Sequence, residues 1–102
     1  MKYGQSRGGN AISWVDGQWH DDEPAVAKAT DHAMWLGSAV FDGARSMAGK
    51  VPDLEAHCAR AIRSARIMGM APDVTTEDIV DLSLEGIQQF PDDAQRYICP
   101  LF

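Results

Sequence analysis

At Asp53 the apolar pattern of the chain changes its period, from about two residues to about 3.6. That switch constrains the fold more than any other feature, because it separates a region of strands and turns from a region of helices. After Asp53, which stands where a helix N-cap belongs, Leu54, His57, Cys58, Ala61, Ile62, Ala65 and Met68 fall on one side at ~100° per residue. Arg63 faces the opposite side. Arg60 lies at a border of the stripe, where its guanidinium can emerge between helix and sheet. Gly69 ends the helix and Pro72 prevents its return. Thr75 and Asp78 form a capping-box-like start for a second helix with apolar Ile79, Leu82, Ile87 and Phe90, although Gly86 interrupts it. "PDD" at Pro91 breaks that helix, and the alternating "RYICPLF" that follows reads as a strand.

Before the switch, residues 1–10 are polar and glycine-rich and read as a flexible arm. In "ISWVDGQWH", Asp16-Gly17 between two short runs is a hairpin signal, since a type I′ turn needs positive φ. "DDEPAVAKATDH" reads as a loop. "WLGSAVFDGARSM", Trp35 to Met47, reads as a strand in which Gly37 and Gly43 mark a bend or a close approach of the backbone to something else. Gly49 and Pro52 mark a further turn. The order of sheet, two helices and a last strand predicts an α+β fold with a small antiparallel sheet.

The charge balance narrows the possible partners. A net charge of −6 with fifteen acidic residues leaves no basic surface for nucleic acid. No run approaches the ~18 apolar residues of a membrane span, and no apolar signal segment follows the N-terminus. Two cysteines without metal-ligand spacing point to a reducing cytoplasm. "HDDE", His20 to Glu23, is better read as a solvated loop than as a metal site, because consecutive loop residues do not converge on one ion. Cys58 lies in the apolar stripe, where inert cysteines belong, and nothing orients it toward His32. Arg60, Arg63 and Arg66 are either a solvated face or include a phosphate anchor, and spacing alone leaves both readings open. The hydroxyl of Tyr97 reaches either a ligand or the sheet edge.

In combination these segments resemble the N-terminal small domain of the class IV pyridoxal-phosphate enzymes, specifically the branched-chain aminotransferases. "WVDGQW" looks like the family's opening hairpin, and "DHAMWLGSAVFDGARSM" like its H-x-x-x-x-G-x-x-V-F-E-G-x-R segment. "LEAHCARAIRSARIMG" resembles its H-x-x-R-L-x-x-S-A helix, and "YICPLF" its Y-I-R-P-L strand. The resemblance covers residues 12–102 in the family's order. It implies that 11–102 form the small α+β domain of a fold type IV aminotransferase that moves an amino group between an amino acid and a 2-oxo acid. The implied cofactor is pyridoxal 5′-phosphate and the implied assembly a homodimer or higher homo-oligomer. By the same resemblance Arg60 falls on the arginine that holds the cofactor phosphate. Phe41 and Tyr97 fall on substrate-pocket side chains, and the bound amino acid and cofactor ring are what approach Gly43.

Two positions depart from the family pattern. Leu36 stands where the branched-chain enzymes commonly carry a pocket tyrosine, and Cys99 replaces the arginine that reads the distal carboxylate of glutamate. A neutral thiol there removes a fixed charge and a bidentate fork. Class IV relatives that alter such positions include aminodeoxychorismate lyase, which stands as the alternative reaction; a non-catalytic binding domain is the other alternative. Transamination also needs a lysine amine, and Lys2, Lys28 and Lys50 all fall in an arm, a loop or a turn. The catalytic lysine is therefore expected in a large domain beyond Phe102, so that these residues alone contain no catalytic group and are inactive.

Overall fold

The computed structural model describes residues 11–102; the arm expected at 1–10 lies outside the described residues. The hairpin opens the fold as β1 (Ser13–Val15) and β2 (Gln18–His20), antiparallel, with Trp14 opposite Trp19. Asp16 and Gly17 both take positive φ, 51° and 81°, the geometry that the two-residue turn requires. The two indoles meet edge to face at 5.4 Å.

Trp35 is not in a strand. A four-residue helix, α1 (His32–Trp35), occupies part of the expected loop and the start of the expected strand. The turn preceding α1 is closed twice: Lys28 N–H donates to the Asp31 carboxylate at 2.8 Å and Asp31 N–H to the Lys28 carbonyl at 3.0 Å. The carbonyl of Asp31 then accepts from Met34 N–H and starts the helical turn. The extended run begins only at Val40. Its regular part is β3 (Ala44–Ser46), antiparallel to β4 (Arg96–Ile98), with Ala44 opposite Ile98 and Arg45 opposite Tyr97. The same register continues through a bridge between Phe41 and Leu101 to Val40 and Phe102, which exchange both backbone bonds at 2.9 Å. The sheet is thus two separate antiparallel pairs, β1–β2 and β3–β4.

Helix α2 (Leu54–Ile67) buries Leu54, Cys58, Ala61, Ile62 and Ala65 as the 3.6 period requires. Met68 stays outside the core because the helix has already ended at Ile67. Asp53 occupies the N-cap in the left-handed region (φ 57°, ψ 24°) and its side chain does not cap. An ordinary N-cap has extended backbone, which aims the carboxylate at the first free N–H groups. The C-terminus closes as a Schellman motif: Met70 N–H donates to Ala65 O at 2.9 Å and Gly69 N–H to Arg66 O at 3.0 Å, with Gly69 at φ 86°. Helix α3 (Thr76–Ile87) has the capping box in full, Asp78 N–H donating to Thr75 Oγ1 and Thr75 N–H to Asp78 Oδ2.

Side chains of β3, α2 and α3 share one core: Ala44, Leu54, Cys58, Ile62 and Ile79, with Ile98 and Phe102 packed against it. The hairpin docks separately on α3. Trp19 Nε1 donates to Glu85 Oε1 at 2.9 Å, and its ring lies over Gly86, where a Cβ would come within 2.7 Å of Cη2. The helix-weakening Gly86 is therefore the seat of an indole. Helix propensity alone favours alanine there by about 1 kcal/mol. Gly86→Ala is nevertheless expected to lower stability by about 1–2 kcal/mol through overpacking. Urea unfolding measures the loss, and Trp19→Ala in the same chain should remove it.

Candidate functional site

Period-two alternation along residues 41–46 sorts the strand onto two faces. Phe41 and Arg45 are exposed, with Gly43 between them, while Asp42, Ala44 and Ser46 are buried, Asp42 and Ala44 against α2. On β4 and its extension, Tyr97, Cys99 and Leu101 fall on the open face opposite Arg45, Gly43 and Phe41. Phe41, Tyr97 and Cys99 therefore share one surface. Phe41 is 62% exposed and Tyr97 58%. Leu36 lies off this ladder, at the C-cap of α1, with its side chain exposed.

What approaches Gly43 is the phenol of Tyr97, which occupies the space of the missing side chain: a Cβ there would lie 2.7 Å from Cζ. The glycine lets the ring lean across the ladder and so sets where its hydroxyl is presented.

Arg60 sits behind that surface. Asp42, only 7% exposed, accepts from Arg60 Nε at 2.6 Å on Oδ2 and from Arg60 Nη2 at 3.0 Å on Oδ1. The same carboxylate accepts from His57 Nδ1 at 2.8 Å and from Gly43 N–H at 2.9 Å. The Arg60 bonds hold the Asp42 carboxyl far below the ordinary carboxylate range; burial opposes this, and the His57 and Gly43 donors reinforce it. Asp42 raises the Arg60 guanidinium in turn. The arginine remains open on its outer side, its side chain 56% exposed. Spacing alone gives no sign of Asp42 or His57 at this site. The available signal was a carboxylate on the buried side of an alternating strand, which needs a partner, facing a helix with an arginine at the border of its stripe.

Both cysteines have thiols pushed up, by burial first, so neither is a ready thiolate. The Asp42 carboxylate adds to the shift at each, and at Cys58 a hydrogen bond with Ser83 partly opposes it. Cys99 thus presents a neutral thiol on the open face. Among the described residues no group of three or more His, Cys, Asp or Glu side chains is placed to hold a metal, and no helix is long and apolar enough to cross a membrane.

The α+β fold is shared with parts of solved aminotransferases. An aminotransferase from Brucella abortus bound to the cofactor PLP superposes with a TM-score of 0.85 and 41% identity, over 88% of this chain and 32% of that one. A branched-chain aminotransferase from Thermoproteus uzoniensis with norvaline gives 0.77 and 29%, over the same shares. By sequence, the probable branched-chain-amino-acid aminotransferase of Rickettsia bellii is 31% identical over 67 residues, 66% of this chain and 23% of the relative. The putative branched-chain-amino-acid aminotransferase of Methanocaldococcus jannaschii is 29% identical over 75 residues, 74% of this chain and 26% of the relative. No family model matches. In sequence and fold the chain is similar to one part of branched-chain aminotransferases, and it spans about a quarter to a third of the length of these relatives.

The Asp42 cluster has a pH signature. A carboxyl whose folded pKa is depressed contributes its full stabilisation above the unfolded value of about 4, and loses it as pH falls from there toward the folded value. Asp42→Asn is expected to reduce stability at neutral pH by about 2 kcal/mol, the scale of hydrogen bonds to charged groups. It should also flatten the acid limb of the stability profile below about pH 4. Unfolding titrations of both proteins from acid to neutral pH measure the effect.

Proposed function

We propose that this chain is the small domain of a class IV, pyridoxal-phosphate-dependent aminotransferase that moves an amino group between a branched-chain-like amino acid and a 2-oxo acid. The observation that carries the reading is Arg60, fixed along one edge by the buried Asp42 and exposed along the other, in the same small unit as an open face bearing Phe41 and Tyr97. A guanidinium has five N–H donors, of which Asp42 takes two; the remaining edge, on an exposed side chain, fits a phosphate. The cofactor supplies the electron sink for chemistry at the substrate's α-carbon.

The chain's own residues bind and orient. Arg60 holds the phosphate, and its approach angle is set by Asp42. The Tyr97 hydroxyl, tilted over Gly43, hydrogen-bonds substrate, while Phe41 and Leu36 give the pocket apolar walls. Cys99 adds a small neutral surface. Lys28 and Lys50 are both exposed, one in a loop and one in a turn, which supports a catalytic lysine outside these residues and an inactive chain when isolated. The exposed Met34, Trp35, Leu36 and Leu101 form apolar surface of the sort that further protein covers, in keeping with a second, larger domain and a homodimer.

The test compares pyridoxal 5′-phosphate with phosphate-free pyridoxal, by calorimetric titration of the native protein and its Arg60→Ala variant. Arg60→Ala is expected to weaken the phosphorylated ligand by at least about tenfold and to leave pyridoxal nearly unchanged. An equal loss for both, or none, counts against the phosphate role. Borohydride reduction followed by peptide mapping then locates the lysine that carries the cofactor. A lysine outside these residues is expected, and Lys28 or Lys50 would overturn the assignment of catalysis elsewhere.

A further inference from the structure

Charge is divided unevenly between the two long helices. No Lys or Arg stands between Arg66 and Arg96, where seven Asp and Glu fall, while α2 carries Arg60, Arg63 and Arg66. At ~100° per residue Ala56, Arg63 and Ile67 line up along α2 with Arg66 beside them, on the side away from the buried Leu54, Cys58, Ala61 and Ala65. On α3 the stripe away from the buried Ile79, Ser83 and Gly86 consists of Glu77, Asp81, Leu84 and Gln88. Every residue of the two stripes is exposed, Ile67 at 79% and Leu84 at 40%.

Charges of opposite sign on adjacent helices commonly pair, and these do not. Among the described residues the side chains of Arg63, Arg66, Glu77 and Asp81 make no hydrogen bond or ion pair. Both stripes point away from the core that the helices share, in which Cys58 and Ile62 of α2 meet Ile79 of α3. The helices thus present a cationic strip and an anionic strip outward, each with an exposed aliphatic side chain in it.

A partner that matches both strips needs the reverse arrangement. A polyanion fits α2 and is repelled by α3, and a basic surface meets the converse. A second copy of the same face, turned about a two-fold axis between the helices, fits both, because its α3 lies on α2 and its α2 on α3. Each Arg-carboxylate pairing then occurs twice, and Ile67 and Leu84 come under cover. The net charge of −6 opposes the approach of two copies, but salt screens that repulsion beyond about 8 Å at physiological ionic strength. By helix length and spacing the face measures roughly 20 Å by 20 Å, small for a protein contact and suited to reversible association.

We propose that the outer face of α2 and α3 is a self-association surface that takes a second copy of this chain about a two-fold axis, with the arginines of each α2 on the carboxylates of the other α3. The inference goes beyond the aminotransferase reading and does not depend on it, since it uses Arg63 and Arg66 and leaves Arg60 to Asp42.

The experiment is sedimentation velocity on the native protein over a concentration series at physiological ionic strength, beside Arg63→Glu/Arg66→Glu, Glu77→Lys/Asp81→Lys and the variant with all four changes. The native protein is expected to show a concentration-dependent association step that each double variant weakens by at least about tenfold. An equimolar mixture of the two double variants should associate, because each supplies the charge that the other now needs, and the fourfold variant should associate with itself. Far-UV dichroism and urea unfolding check that every variant is folded. Arg63→Gln/Arg66→Gln, which removes charge without adding repulsion or touching α3, should weaken the step by a smaller factor. No step in the native protein, or a step that the charge changes leave intact, overturns the proposal. Loss in both double variants without recovery in their mixture also overturns it, since that pattern reports net charge and not pairing across the face.

Discussion

The Asp42 carboxylate joins strand to helix at the point where the two halves of the chain meet. It is nearly buried, so its charge is tolerable only because four donors converge on it: two from Arg60 and one each from His57 and the Gly43 backbone. The arginine retains solvent on its other side, so the pair avoids the full desolvation penalty of two interior charges. A rigid carboxylate behind an accessible guanidinium is a device for orientation more than for stability.

Strand geometry ties that cluster to the open face of the β3–β4 pair. Side chains on a strand alternate, so Asp42 reaches back to α2 while Phe41 in front of it and Arg45 beyond it reach out on the other side. Any shift of β3 relative to α2 would move the Asp42–Arg60 pair and the open face together. Tyr97 adds a lateral constraint, because its ring fills the space above Gly43 and fixes how β4 lies beside β3. Trp19 over Gly86 repeats the principle at the hairpin: in both places a glycine is the absence that an aromatic ring requires.

Much of this was legible in the residues. The Asp16-Gly17 turn, the Gly69 stop and the Thr75–Asp78 box are local devices whose geometry follows from a few neighbouring residues, and each is found where the pattern places it. The α+β order followed from the change of period. The misreadings lie where distant contacts decide. Trp35 enters a short helix, Asp53 turns left-handed and withholds its carboxylate, and Met68 falls past the helix end. Asp42 is not legible in the residues because a carboxylate in a strand has no local signature. Its meaning depends on an arginine eighteen residues away.

The sequence by itself determined the periods, the turns and the caps, and through them the identity of the elements and the family they resemble, since these rest on interactions within a few residues. Only the tertiary structure decided that Arg60 is held by Asp42, that Tyr97 occupies the space over Gly43, and that Arg45 and Cys99 share one face. Those are pairings between residues far apart in the chain. Their register and distance are set by packing β3 and β4 against α2, which no local pattern encodes.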